Sequence, residues 1–142
     1  MKLITPQEAK ELNQNFIKTR SKELDKIVER ETGNPTKKDA ISSWFSLEEL
    51  KEYIAYVEAQ GKAKNITVNG LRVYFGAYAK NDKKEDKKAL STVFFVPTQA
   101  AVGSLNKEGV EGGEGGSDVD SIDGMNYGTS GNPPQAPYPQ IQ

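Results

Sequence analysis

Leu71-Arg72-Val73-Tyr74-Phe75-Gly76-Ala77-Tyr78 is the stretch on which the fold turns. It is rich in β-branched and aromatic residues and is bounded by Asn69-Gly70 before it and the charged run Lys80 to Lys88 after it, so it reads as one dominant strand. Asn-Gly is the strongest short signal for a tight turn. The preceding apolar run, Ile66-Thr67-Val68, is short, however, so an extended lead-in is the better reading. Alternation puts Leu71, Val73, Phe75 and Ala77 on one face, expected to be the core face, and Arg72, Tyr74, Gly76 and Tyr78 on the other. A second strand, Leu90 to Val96 closed by Pro97, follows the charged loop, and neighbours joined in this way pair antiparallel by default. Within it Thr92, Phe94 and Val96 alternate with Ser91, Val93 and Phe95. Neither face is polar, so both need cover. Helices serve one side; the long loops, the tail, a second subunit or a ligand must serve the other.

Upstream lie two helices. Thr5-Pro6-Gln7-Glu8 combines an N-cap, a proline suited to the first helical position and an acid placed to close a capping box. Ala9, Leu12, Phe16, Ile17, Leu24, Ile27 and Val28 then form one apolar face to about Glu31, and Gly33-Asn34-Pro35 ends the helix. Residues 36–43 read as a polar connection, with Ala40 to Phe45 able to form a short edge strand. Ser46-Leu47-Glu48-Glu49 repeats the capping logic for a second helix to about Gln60, with Leu47, Leu50, Tyr53, Ile54 and Val57 turned inward. Phe45 is expected to staple against Leu50 or the stem of Glu49, and Trp44 to lie in the core. The Glu48-Glu49 pair fits the positive end of a helix dipole. The expected fold is therefore α+β: two amphipathic helices packed on a small antiparallel sheet, spanning residues 1–102.

At Gly103 the composition changes. Residues 103–142 carry one base against six acids, a net of −5, while the remainder, with 18 bases against 14 acids, carries +4. Gly109 to Ser117 contains five glycines and one apolar side chain, too little burial to offset an ordering cost of about 1–2 kcal/mol per residue. The reading is a flexible acidic Gly/Pro-rich tail, disordered from about Gly103 to Gly124 and dispensable for folding after Ala101. Met125 to Pro134 holds turn formers around Met125 and Tyr127, suited either to docking on an apolar groove or to an extended end in solvent.

The chain has no His and no Cys. Disulfides, thiolate catalysis, the usual zinc ligands and the usual neutral-pH general base are thereby absent. No catalytic constellation and no cofactor or metal motif is complete, so a non-enzymatic role is expected. Asp118-Val119-Asp120-Ser121-Ile122-Asp123-Gly124 has the alternating acids of a calcium loop, but Thr129 stands where the bidentate acid belongs. Gly112-Gly113-Glu114-Gly115-Gly116 lacks the lysine and following helix of a phosphate cradle and reads as a linker. Neither a signal peptide nor a membrane span is legible, and a cytoplasmic location with no membrane partner is expected.

The best candidate binding site is the second face of the first strand. Gly76 leaves a gap between Tyr74 and Tyr78, with Arg72 further along and Lys80 at the exit, an arrangement in which a flat or anionic group could stack and meet a guanidinium. Against it, Gly76 could mark a bulge or be filled by Phe94 or Phe95, leaving the tyrosines as ordinary cross-strand pairs. The 80–88 loop, with five lysines against three acids, is a diluted basic patch, so nucleic acid is not the favoured partner.

The blocks Trp44-Phe45-Ser46-Leu47-Glu48-Glu49-Leu50-Lys51, Gly70-Leu71-Arg72-Val73-Tyr74-Phe75-Gly76-Ala77-Tyr78 and Val93-Phe94-Phe95-Val96-Pro97-Thr98 resemble the signature blocks of a family of short bacterial proteins. The resemblance covers about the middle third of the chain and implies no activity, cofactor or catalytic residue. Function therefore rests on the residues themselves. They point to an interaction or assembly protein that meets a protein partner or a second copy through an aromatic sheet face. The alternative is a small-ligand or single-stranded nucleic-acid module using Arg72, Tyr74, Gly76, Tyr78 and Lys80.

Overall fold

The computed structural model describes residues 1–100, 116–126, 129–130 and 135–140. It is α+β and divides into two compact units: Met1–Trp44 with Gly76–Thr92 and Thr129–Gln142, and Phe45–Phe75 with Val93–Gly128.

In the first unit α1 (Pro6–Phe16) starts at a full capping box. Thr5 Oγ1 accepts from the Glu8 amide at 3.2 Å, and Glu8 Oε2 accepts from the Thr5 amide at 2.6 Å. These bonds hold the Glu8 carboxyl below its ordinary value. The helix widens into a π-helical turn at Ile17–Ser21 and continues as α2 (Lys22–Thr32) until Gly33, whose φ of 67° is the left-handed conformation that glycine adopts freely. Val28 is buried within this unit, whereas Leu12 and Ile27 are exposed, so the inward face is narrower than the apolar spacing predicts. The connection beyond Gly33 is more than a polar link. Asp39 is 1% exposed; its Oδ1 accepts from the amides of Ala40 at 2.8 Å and Ser91 at 2.6 Å, and its Oδ2 accepts from the Ser91 hydroxyl. Short strand β1 (Ser43–Trp44) pairs antiparallel with β5 (Thr129–Ser130). Trp44 is 63% exposed and not a core residue: a two-residue strand places one side chain on each face, and the tryptophan takes the outer one.

The second unit is built on α3 (Leu47–Ala63), again opened by a capping box, here between Ser46 and Glu49. Its inner line is Tyr53, Val57 and Gly61, spaced four apart, while Leu47 and Ile54 are exposed in departure from the expected face. Strand β2 (Val68–Ala77) runs straight through Asn69-Gly70, so no turn forms there. Gly70 lies close under Thr98, whose hydroxyl donates to Asn69 Oδ1 at 2.7 Å. Strand β3 (Ser91–Gln99) continues past Pro97, which is buried inside the strand instead of closing it. Its carbonyl accepts from the Val119 amide at 2.9 Å. Phe45 meets Phe95 edge-on, with ring centroids 5.0 Å apart, as its ring partner.

The third strand comes from the segment expected to be loose. β4 (Ser117–Asp118) pairs antiparallel with β3 in the register Thr98↔Asp118 and Gln99↔Ser117, giving the order β2-β3-β4. Val119 and Ile122, each 4% exposed, form the core with Tyr53 and Val57, and Ile66, Val68, Leu71, Phe95 and Met125 pack around it. Met125 exchanges two 2.9 Å backbone hydrogen bonds with Phe95. The expected disorder to Gly124 is thus corrected over residues 116–124; residues 103–115 lie outside the described ones. The cause is that apolar residues recur every third position from Val119 to Met125, and burying each one offsets its ordering cost at roughly 1.5–3 kcal/mol. Of the stretch 125–134, for which docking and an extended end both stood open, Met125 packs against the core, the Thr129–Ser130 backbone pairs with β1, and residues 127–128 and 131–134 lie outside the described ones.

No helix among the described residues is long and apolar enough to cross a membrane.

Candidate functional site

Arg72 and Tyr74 share the face of β2 predicted by alternation, and the structure gives both the same partner. Arg72 Nη1 donates to Asp118 Oδ1 in a half-buried ion pair, and Tyr74 Oη donates to Asp118 Oδ2. Arg72 Nη2 also donates to the Gly116 carbonyl at 2.7 Å. The order β2-β3-β4 explains this reach: a long side chain on one edge strand spans the middle strand to the other edge. The guanidinium is held in its charged form, above its ordinary value, first by its hydrogen bond with Tyr74 and also by the Asp118 carboxylate. The ring of Tyr74 stacks on Phe94 at 5.4 Å between centroids and 18° between planes, an aromatic cross-strand pair. A carboxylate of the chain itself therefore occupies the anion position that the sequence suggested at Arg72, and cover for this face comes in part from the segment beginning at Gly116.

The remaining predicted residues belong to the first unit. Gly76 is half-buried and Lys80 exposed. Tyr78 donates its amide to Leu90 O at 3.0 Å and lies beneath Lys87 Nζ, 5.1 Å from the ring centroid. One lysine of the charged loop is thus already spent on a tyrosine, and Lys37 Nζ donates to the Glu85 carbonyl at 2.9 Å in the same unit. Asp118 and Gly116 were missed as site residues. Their signal was the Asp118-Val119 step at the end of the glycines, which reads more readily as a metal loop. No group of three or more metal-ligating side chains occurs among the described residues, and both Asp118 oxygens face Arg72 and Tyr74. An open depression below the end of α3, lined by Glu58, Gly61, Lys62, Asn65, Ile66, Thr67 and Val68, gathers no convergent chemical groups.

The other face of β2 departs from expectation. Leu71 packs against the core, but Val73 is 47% and Phe75 91% exposed. Alternation assigns these three side chains to one face, and the core below it ends after Leu71. Because β2 is terminal in the sheet among the described residues, this apolar pair stands beside an open row of backbone N–H and C=O groups. No protein-family model, no curated protein and no solved structure matches the chain.

Proposed function

We propose that the chain is a non-enzymatic interaction module whose working surface is the open edge of β2. The observation that carries the reading is Phe75, 91% exposed on a ten-residue edge strand with Val73 beside it on the same face. A polypeptide strand added to such an edge gains backbone hydrogen bonds and buries both side chains, the mode in which an extended segment joins a sheet. Stacking of an anion or a single-stranded nucleic acid on Arg72, Tyr74, Gly76, Tyr78 and Lys80 is the less supported reading, because the ligand would have to displace Asp118 from Arg72 and Tyr74.

The test places a photo-crosslinking phenylalanine analogue at position 75 and, as control, at Leu12, which is also well exposed. Illumination in cells that make the protein is expected to give discrete polypeptide adducts from position 75 only. Equal labelling from both positions, or none, overturns the reading.

A further inference from the structure

We propose that the strand received by β2 is β2 of a second copy, paired antiparallel about a two-fold axis at Val73 to make one six-stranded sheet. The proposal rests on the interaction reading above and names its partner.

The first observation is the lack of edge protection. Sheet edges are ordinarily guarded by shortness, lysine, proline or inward charges. The other edge of this sheet, β4, is two residues long, but β2 is ten, and Val68 to Ala77 contains no Lys, Pro, Asp or Glu. Its one charge, Arg72, is drawn across the sheet to Asp118 and does not guard the edge.

The second observation is that the strand complements itself. A two-fold axis normal to a sheet must pass through a residue facing its own copy, and for β2 only axes at Arg72 and Val73 give the longest overlap. An axis at Arg72 sets Phe75 against Asn69, so the 91%-exposed ring gains no apolar partner. An axis at Val73 sets Val73 against Val73 and Leu71 against Phe75, so aliphatic meets aliphatic or aromatic. Both exposed side chains, Val73 and Phe75, are then covered, and each Arg72 keeps its own Asp118.

A contact of one strand pair lies at the small end of specific interfaces, so a dimer with a dissociation constant on the order of tens of micromolar is expected. Sedimentation velocity across that range with the full chain is the measurement. Val73→Lys and Val73→Glu each place like charges at the axis and should weaken self-association at least tenfold. Mixed in equal amounts they should pair again, since opposite charges then meet at the same point. Position 73 is half-exposed, so both variants should melt as the parent does; should either fail to fold, Phe75→Ser at the fully outward position replaces it and should also give a monomer. A parent that stays monomeric, variants that dimerise unchanged, or a mixture that does not recover pairing overturns the proposal. A monomeric parent whose position-75 crosslinks persist to other polypeptides defeats the self-pairing alone; loss of both defeats the interaction reading with it.

Discussion

Asp39 shows how much one residue can organise. Its carboxylate is removed from water and accepts from two backbone amides and a hydroxyl, joining the connection after α2 to the start of β3. Its own amide donates to Asp25 Oδ1 at 2.9 Å, and that oxygen also accepts from Gln135 Nε2 at 2.6 Å. Asp39→Ala leaves two amide donors without their acceptor, at roughly 1–3 kcal/mol each. Asp39→Asn keeps an acceptor and should lose much less; equal losses in urea unfolding would show that packing, not hydrogen bonding, is what Asp39 supplies. In the second unit Tyr53 has a comparable place. Its hydroxyl donates to Asp123 O at 2.9 Å, and burial, then Tyr56 and Asp123, hold the phenol above its ordinary value of 10.0. The neutral form is thus favoured by folding, so this contribution is whole below about pH 10 and is lost as pH rises through the raised folded value. Tyr53→Phe should flatten the alkaline fall in stability, and an unchanged slope above about pH 10 would refute the assignment. Tyr53 was legible as an inward residue but its hydroxyl's partner was not, and Asp39 was not legible at all, because the partners that define these groups lie tens of positions away; the caps at Thr5 and Ser46, whose partners are three residues on, could be read directly.

Elements divide along the same line. Helix starts, the αL stop at Gly33 and the extended character of both long strands follow from local chemistry and were legible. How far each apolar face is covered was not. Alternation sorts Leu71, Val73 and Phe75 to one side, but only the extent of the core below decides that Leu71 is packed and Phe75 bare. On the opposite face, alternation correctly grouped Arg72 with Tyr74; it could not reveal Asp118, 46 residues beyond Arg72, as their common partner. Gly61 shows a further element-level constraint. Glycine inside a helix ordinarily costs about 1 kcal/mol relative to alanine. Here α3 turns back so sharply that Ile66 N donates to Gly61 O at 2.8 Å, and a Cβ on Gly61 would stand 2.7 Å from the Ile66 carbonyl oxygen. Gly61→Ala should therefore destabilise by about 1–3 kcal/mol where helix propensity alone predicts a gain, as judged by thermal melting. A stabilised variant would mean that the turn after α3 yields easily.

At the scale of the whole chain the composition break at Gly103 misled, because an average over glycine and acid hid three apolar residues at positions 119, 122 and 125. A head that ends at Ala101 would lose the third strand, the Arg72 and Tyr74 acceptor, and Val119 and Ile122 from a buried cluster whose other members are Tyr53 and Val57. Each of those two side chains contributes on the order of 1.5–3 kcal/mol by burial alone, and Phe95 would lose its paired bonds with Met125. Set against a total stability of about 5–15 kcal/mol, a loss of this size leaves the second unit marginal or unfolded. Truncation after Ala101 should accordingly abolish slow hydrogen exchange in α3 and in the second-unit parts of β2 and β3. Adding a peptide of residues 116–126 in excess should restore it, since what is missing is a strand and two side chains and not the linker. Retained protection in the truncated chain would return the segment to the role of a dispensable tail; failure of the peptide to restore protection would show that the removed residues outside 116–126 supply more than a connection.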